Sequence, residues 1–304
     1  MKKSFKVDSS YFGIRIDKWI RNNLGKVPQS LIEKNLRFGK IKLNNRKIKS
    51  STKLNKNDLI EVFDLSFDNR SYTNKKSFDP SGSVVKQSEK LIIYNNDDFV
   101  VVNKESGVAV QGGTKSKKNL IDIFSKSKLF NENKPYSVHR LDKDTSGVFI
   151  IAKNRETAKL LTTLFRLRKI HKTYLAICYG ELNDNKGVLD QNLVKFEGKK
   201  KIVEDSKTLF SVLYKNSNYS LLKLNPITGR KHQLRKQLSL IGHPIYGDNK
   251  YVIDKRKNVK RKKLMLHSYK IKFMLSEKKY TFNATLPKYF KDLIKSQRIK
   301  FEDF

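Results

Sequence analysis

The stretch His139-Arg140-Leu141-Asp142-Lys143-Asp144-Thr145-Ser146-Gly147 runs directly into Val148-Phe149-Ile150-Ile151-Ala152. The second half is a short apolar run that reads as a buried strand. The first half carries an arginine and two carboxylates and follows a loop rich in Asn and Lys at 131–135. Asp142 is therefore expected at a strand entrance, on a rigid element with an open side. In so basic a chain, a carboxylate kept beside an arginine at such a place is a candidate for chemistry. A buried ion pair with no chemistry is the plain alternative.

The rest of the chain sets the frame. Its 304 residues, 38% of them hydrophobic, fit two domains with a real core. A net charge of +37, from 66 Lys+Arg against 29 Asp+Glu, points to a polyanionic partner, of which nucleic acid is the commonest. Lys outnumbers Arg and Asn is abundant, so part of that charge reflects compositional drift. The single cysteine, Cys178, excludes an internal disulfide and a Cys-rich zinc site and reads as a small core residue. No apolar stretch is long enough to span a membrane and no apolar segment follows Met1-Lys2-Lys3-Ser4, so a soluble, cytoplasmic protein is expected. Phosphate-binding loops, dinucleotide fingerprints and His-Glu-x-x-His are missing, which argues against ATP, NAD and zinc chemistry. The Gly112-Gly113-Thr114-Lys115 segment reads as a plain loop turn.

Working outward, residues 1–64 form a small α+β module. Two short helical stretches end at Gly39 and are followed by Lys40-Ile41-Lys42-Leu43 and an Asn44-Asn45 turn. In the first helix Ile16, Ile20 and Leu24 make an inner face, while Arg15, Lys18 and Arg21 line another side suited to phosphates. Trp19 is expected in the core. Residues 65–89, rich in Ser, Asn and Lys, read as a linker. Residues 90–304 form the second domain, opened by a hairpin around Asn95-Asn96-Asp97-Asp98. A helix is expected over 155–167, capped by Asn154, with Ala158, Leu161 and Phe165 on one face. Strands are expected at 174–179 and 209–224.

A second segment, Thr228-Gly229-Arg230-Lys231-His232-Gln233-Leu234-Arg235, opens a helix after the strand at 221–224. Leu234, Leu238 and Ile241 would form its inward stripe, and His232 and Arg235 another face able to reach one site.

The residues at 139–147, with Lys172-Thr173-Tyr174 and the 228–235 segment, resemble the RluA-type pseudouridine synthases in order, spacing and residue type. The similarity runs from about residue 90 onward. The segments Gly107-Val108-Ala109-Val110-Gln111-Gly112-Gly113 and Asp144-Thr145-Ser146-Gly147 further resemble the branch called ribosomal large subunit pseudouridine synthase C. In front of it, Gly13-Ile14-Arg15-Ile16-Asp17-Lys18-Trp19-Ile20, Gly39-Lys40-Ile41-Lys42-Leu43-Asn44 and Asp58-Leu59-Ile60-Glu61-Val62 resemble an S4-type RNA-binding domain.

The resemblance implies an α+β enzyme: an S4-like module, then a catalytic domain whose mixed, largely antiparallel central sheet is flanked by helices. It implies uridine isomerisation in large-subunit ribosomal RNA by a monomer, on naked RNA or an assembling subunit, without cofactor or metal. It gives Asp142 the role of nucleophile or general base, Tyr174 that of the active-site tyrosine, and Arg235 that of the cation holding Asp142 ionised against burial. An opposite charge at close range lowers a carboxylate pKa by about 1–3 units. Arg140 would fill the gap left by the flipped base, and alternation along an extended segment would direct it to the side of Asp142. Arg230, Lys231, His232, the basic run at 254–263, and Arg15 and Lys18 would contact RNA. Asp144, on the same side if the segment is extended, reads as a loop or capping residue. Other readings are a non-catalytic RNA-binding ribosome-assembly factor, a pseudouridine synthase for transfer RNA, and a glycosidase or nuclease using both aspartates.

Overall fold

The computed structural model describes residues 2–25, 27–63, 78–112, 118–131, 134–197, 200–251 and 262–301. The chain divides into two compact units, Met1–Lys76 and Ser77–Phe304.

In the first unit, β1 (Lys2–Lys6) precedes the helices α1 (Ile16–Asn23) and α2 (Gln29–Arg37), followed by β2 (Ile41–Leu43) and β3 (Leu59–Phe63). The strands form an antiparallel sheet in the order β1-β3-β2. Ile16, Trp19 and Ile20 of α1 meet Ile32 and Leu36 of α2 over Ile41 and Ile60 of the sheet. Trp19 packs edge-on against Phe5, as its place in the apolar stripe predicts. Gly39 adopts φ +73° just beyond α2, the left-handed residue that ends a helix cheaply. Asn44 and Asn45 also have positive φ, and the Asn44 side chain bonds the backbone N–H of Leu59 at 2.8 Å, pinning the turn to β3.

The second unit begins earlier than the sequence predicts. Residues 82–89, expected in the linker, form the helix α3 (Gly82–Glu89), which buries Val85. Glu89 accepts a 2.6 Å hydrogen bond from Ser127. A helix with one buried position has no readable period, so its docking rather than its pattern makes it. Residues 64–77 lie outside the described ones.

There follow β4 (Ile92–Asn95), β5 (Phe99–Lys104), α4 (Leu120–Phe124), β6 (Tyr136–Ser137), β7 (Ser146–Ala152) and α5 (Arg155–Arg166). Then come β8 (His171–Tyr179), β9 (Lys186–Glu197), β10 (Lys200–Lys215), β11 (Tyr219–Pro226), α6 (Gln233–Leu240), β12 (Leu266–Leu275), β13 (Lys278–Asn283) and α7 (Lys288–Ser296). Among the described residues these strands form one sheet in the order β4-β5-β7-β12-β8-β11-β10-β9, with β6 on β7 and β13 on β12. All its neighbours pair antiparallel except β7 and β12, so the sheet is mixed and largely antiparallel. The strands expected over 209–224 are the end of β10 and β11. Asn216 turns the chain between them by accepting the N–H groups of Asn218 and Tyr219.

The apolar run is β7, buried at every residue. Val148, Ile150 and Ala152 face Leu161 of α5, while Phe149 and Ile151 face Leu120 and Phe124 of α4. Asn154 caps α5 by accepting the Thr157 N–H at 2.8 Å. At its start β7 lies parallel against β12, Ser146 opposite His267 and Gly147 opposite Ser268. Gly147 has φ +110°, and a Cβ there would sit 2.2 Å from the Ser268 carbonyl oxygen, so no other residue permits this approach. In α6 the inward stripe is Leu234 and Leu238. Ile241, expected to extend it, lies beyond the last turn and is exposed, because Gly242 with φ +86° turns the chain away.

Candidate active site

The turn before β7, the middle of β8 and the entry to α6 enclose a cavity of about 470 Å³, within the range of small-ligand sites. Arg140, Asp142, Tyr174, Arg230, His232 and Arg235 all line it.

Asp142 is held by its backbone. The segment closes a turn at Lys143 and Asp144, in keeping with the loop reading of Asp144, with the Thr145 N–H on the Asp142 carbonyl at 3.1 Å. The Lys143 carbonyl accepts from the Gly107 N–H at 2.9 Å and from Lys104 Nζ at 3.1 Å, and the Asp144 carbonyl from the Ser106 hydroxyl at 2.7 Å. This turn separates the two carboxylates: Asp142 lines the cavity and Asp144 does not. Arg140 is exposed at the rim.

Lys104 was not legible as a site residue. It is fully buried, and Nζ donates to the carbonyls of Glu105 and Val108, both at 2.9 Å, as well as that of Lys143. Burial pulls its pKa down to about 7, against the charges of Asp144, Asp142 and Glu105. A lysine at the end of an apolar strand looks like a snorkelling surface residue, and only the fold reveals the three carbonyls around it.

Across the cavity His232 precedes α6 in a left-handed conformation, φ 54° and ψ 31°, while Arg235 lies in the first turn. His232 Nε2 is 3.6 Å from Asp142 Oδ1, and Arg235 Nη1 is 3.9 Å from Asp142 Oδ2. The stronger partner of Arg235 is Asp248, which binds it side-on, Nε to Oδ2 at 2.7 Å and Nη2 to Oδ1 at 2.8 Å. Asp248 Oδ1 also accepts the N–H groups of Lys250 and Tyr251. The sequence offers one signal for Asp248, an acid after the turn residue Gly247, whose Cβ, were it present, would lie 2.0 Å from the Lys263 carbonyl oxygen. Nothing in the spacing connects it to Arg235.

Burial reverses the expected electrostatics. Burial raises the Asp142 pKa above the usual carboxylate range, and Arg235, Arg140 and Lys104 oppose it without prevailing. Arg235 does not offset burial: two of its nitrogens bind Asp248, it stands 3.9 Å from Asp142, and burial is the larger effect. Burial pulls Arg235 down, but its hydrogen bonds and charge pairing with Asp248 leave it above its usual value. Asp248 itself, pushed up by burial, ends below the usual range because of Arg235.

Burial pushes the Tyr174 hydroxyl up to about 12, against a hydrogen bond with the Ser268 side chain. Its ring packs against the clusters on both sides of β8. Burial, with Arg235 next, pulls His232 down to about 4, so this histidine is neutral at pH 7. The Tyr251 hydroxyl lies 2.8 Å from its Nδ1, and the Tyr251 ring covers the Arg235 guanidinium at 5.3 Å. His139, pulled down to about 3 by burial and then by Lys172, is stacked between Phe149 and Phe165, and Nε2 accepts the Ile150 N–H. It is a neutral anchor for the turn.

The expected RNA contacts divide. Arg230 is partly engaged, donating from Nε to the Asp205 carbonyl at 3.0 Å with Glu204 at 3.6 Å. Arg15 and Lys18 belong to the first unit, where Lys18 is exposed and Arg15 grips Asp17. Most of the basic run at 254–263 and the segment at 113–117 lie outside the described residues.

The family model described as RNA pseudouridylate synthase matches residues 98–240, which contain every side chain of the cavity named above. The chain is 31% identical over 284 residues to ribosomal large subunit pseudouridine synthase C of Vibrio parahaemolyticus, covering 88% of this chain and 87% of that one. Against the protein so named from Buchnera aphidicola the identity is 34% over 273 residues, with 86% and 85% covered. The chain therefore belongs to the RluA-type RNA pseudouridine synthase family, and it is an enzyme of that kind. The fold agrees: human RNA pseudouridylate synthase domain containing 4 superposes with a TM-score of 0.62 at 24% identity, over 73% of this chain and 98% of that one. Among the described residues no helix is long and apolar enough to cross a membrane.

Proposed function

We propose that this enzyme isomerises specific uridines of large-subunit ribosomal RNA in the cytoplasm, with Asp142 as nucleophile or general base. The observation that carries the reading is Asp142 itself: a carboxylate 16% exposed on the wall of a cavity, facing His232 and Arg235. The reaction breaks the bond from uracil N1 to ribose C1′, turns the base and joins C5 to C1′. The proton leaving C5 is matched by one gained at N1, so neither redox partner nor energy source is needed.

Each lining residue has work in that scheme. Tyr174 presents its ring to the uracil face and its hydroxyl as a proton relay. Arg235, fixed by Asp248, balances the charge of Asp142 in a site that excludes water. Base extrusion costs a few kcal/mol. Arg140 at the rim fills the vacated stack, while Arg230 and His232 approach the strand from the turn that leads into α6. The first unit, read as S4-like, adds phosphate contacts through Arg15 and Lys18. The relatives named as large-subunit synthases support the choice of RNA.

The test compares wild type with Asp142→Asn on unmodified large-subunit ribosomal RNA without added metal, mapping pseudouridine. Product from wild type alone is expected. Product from the variant at the wild-type rate would sink the role of Asp142, and release of free uracil would make the protein a glycosidase. Activity confined to transfer RNA would overturn the target.

A further inference from the structure

A second recess lies beside the Asp142 cavity, on the outer face of α5. Arg155, Lys159, Thr162 and Arg166 line one wall and Tyr136 of β6 the other. Thr162 and Arg166 line both hollows, so the recess continues the cavity outward. The four α5 positions are spaced i, i+4, i+7 and i+11 and make one stripe, while Thr157 and Leu161 are buried against the sheet.

The charges in this stripe have no internal use. Among the described residues Arg155, Lys159 and Arg166 are exposed and take no carboxylate partner, and no acidic side chain lines the recess. Around the β9–β10 hairpin, by contrast, three cations are paired: Lys195 with Glu204 at 3.3 Å, Lys207 with Asp190 at 3.1 Å and Lys215 with Glu181 at 3.3 Å. Like charges at i and i+4 weaken a helix, and a cation at its first residue opposes the macrodipole. Compositional drift toward Lys does not account for the stripe either, since two of its three cations are arginines. An exposed tyrosine interleaved with unpaired cations is the arrangement by which proteins follow a single strand, phosphates on the charges and a base on the ring.

We propose that this recess is the track along which the substrate RNA leaves the Asp142 cavity, with successive phosphates on Arg166, Lys159 and Arg155 and a flanking base against Tyr136. The inference rests on the reading of the Asp142 cavity as the place where the uridine reacts. It adds the direction of the strand beyond that uridine.

The test uses the full-length double variant Arg155→Gln/Lys159→Gln, neither residue lining the Asp142 cavity, with two RNA substrates. One is a long ribosomal RNA fragment and the other a minimal stem-loop too short to reach α5. On the long fragment KM should rise about tenfold with kcat unchanged. The slope of log affinity against log salt should flatten by about 1.4, two contacts at roughly 0.7 each for a single strand. On the stem-loop the variant and wild type should coincide, and the charge-preserving variant Arg155→Lys/Lys159→Arg should restore the long-fragment KM. Unchanged KM and salt slope on the long fragment would overturn the track, as would equal losses on both RNAs. Failure of the wild type to form pseudouridine on either RNA would instead strike the reading of the cavity.

Discussion

Two Arg–Asp pairs in this molecule have the same bidentate chemistry and opposite surroundings. In the first unit Arg15 reaches Asp17, two residues away, with Nε–Oδ1 at 3.2 Å and Nη2–Oδ2 at 2.6 Å, and its side chain stays 52% exposed. In the second unit Arg235 reaches Asp248 across a loop, and the two side chains are 6% and 0% exposed. In the first pair Asp17 is buried, 8% exposed, but the arginine is half exposed, so water and salt screen its charge. The second is dry, so its charges act at close to full strength on whatever else shares the cavity. What shares it is Asp142, whose pKa burial raises and Arg235, first among the charges, opposes. Side-chain identity is therefore a poor guide to a charge's role unless its burial is known.

The largest effect should come from the residue the buried pair serves. Asp142→Asn is expected to lower kcat by at least about 10²–10⁴-fold, the range of a positioned acid–base group, as measured by tritium release or pseudouridine mapping. The wild-type profile should show the raised pKa directly. Asp142 is needed ionised, so kcat falls as pH drops through its folded-state pKa, and the midpoint of that limb should lie above the usual carboxylate range of about 4. A midpoint at or below 4 would break the claim that burial outweighs the cations.

Asp248→Asn comes next and pulls in two directions. Removing one partner of a buried pair should cost about 3–5 kcal/mol of stability, read by urea unfolding. The released guanidinium is then free for Asp142, so the acidic limb of kcat should move to lower pH. Loss of stability with an unmoved limb would show the pair to be a support only. A smaller change is expected for Tyr251→Phe, which keeps the ring over Arg235 and removes the hydroxyl at His232 Nδ1. With about 1 kcal/mol for one hydrogen bond, kcat should fall about fivefold at unchanged KM.

Least of all should come from Arg15→Gln. Arg15 is half exposed although Asp17 is buried, so the melting temperature of the first unit should fall, but by less than Asp248→Asn costs the second. RNA affinity should still lose salt dependence by roughly one contact. A large loss of stability with an unchanged salt slope would invert the contrast between the two pairs.

What the sequence disclosed and what it withheld follow the same division between local and distant. The strand at 148–152 was legible because five successive apolar residues need no partner to be recognised, and the Asn154 cap because its bond spans three positions. Asp142, Tyr174 and Arg235 were legible through motifs that keep their residue types at fixed spacing. Asp248 and Lys104 were not, since each acts through groups far away in sequence and neither has a distinctive neighbour. The Asp142 pKa was misjudged for the same reason, since the depth of burial that outweighs Arg235 depends on distant segments. α3 was missed for a related reason, being stabilised by docking against the segment that carries Ser127.

The parallel seam at Gly147 bears on when the enzyme comes into being. In the sheet β12 stands between β7 and β8, the strand that follows the Asp142 turn and the strand that carries Tyr174. Every lining residue named above, and Asp248 with them, is translated before the strand that sets those two at their working separation. A chain emerging from the ribosome thus holds all these side chains before the strand that joins β7 to β8, and pairings between such distant segments are slow to form. β13 and α7 follow β12 in the chain, so the catalytic sheet closes only near the end of synthesis.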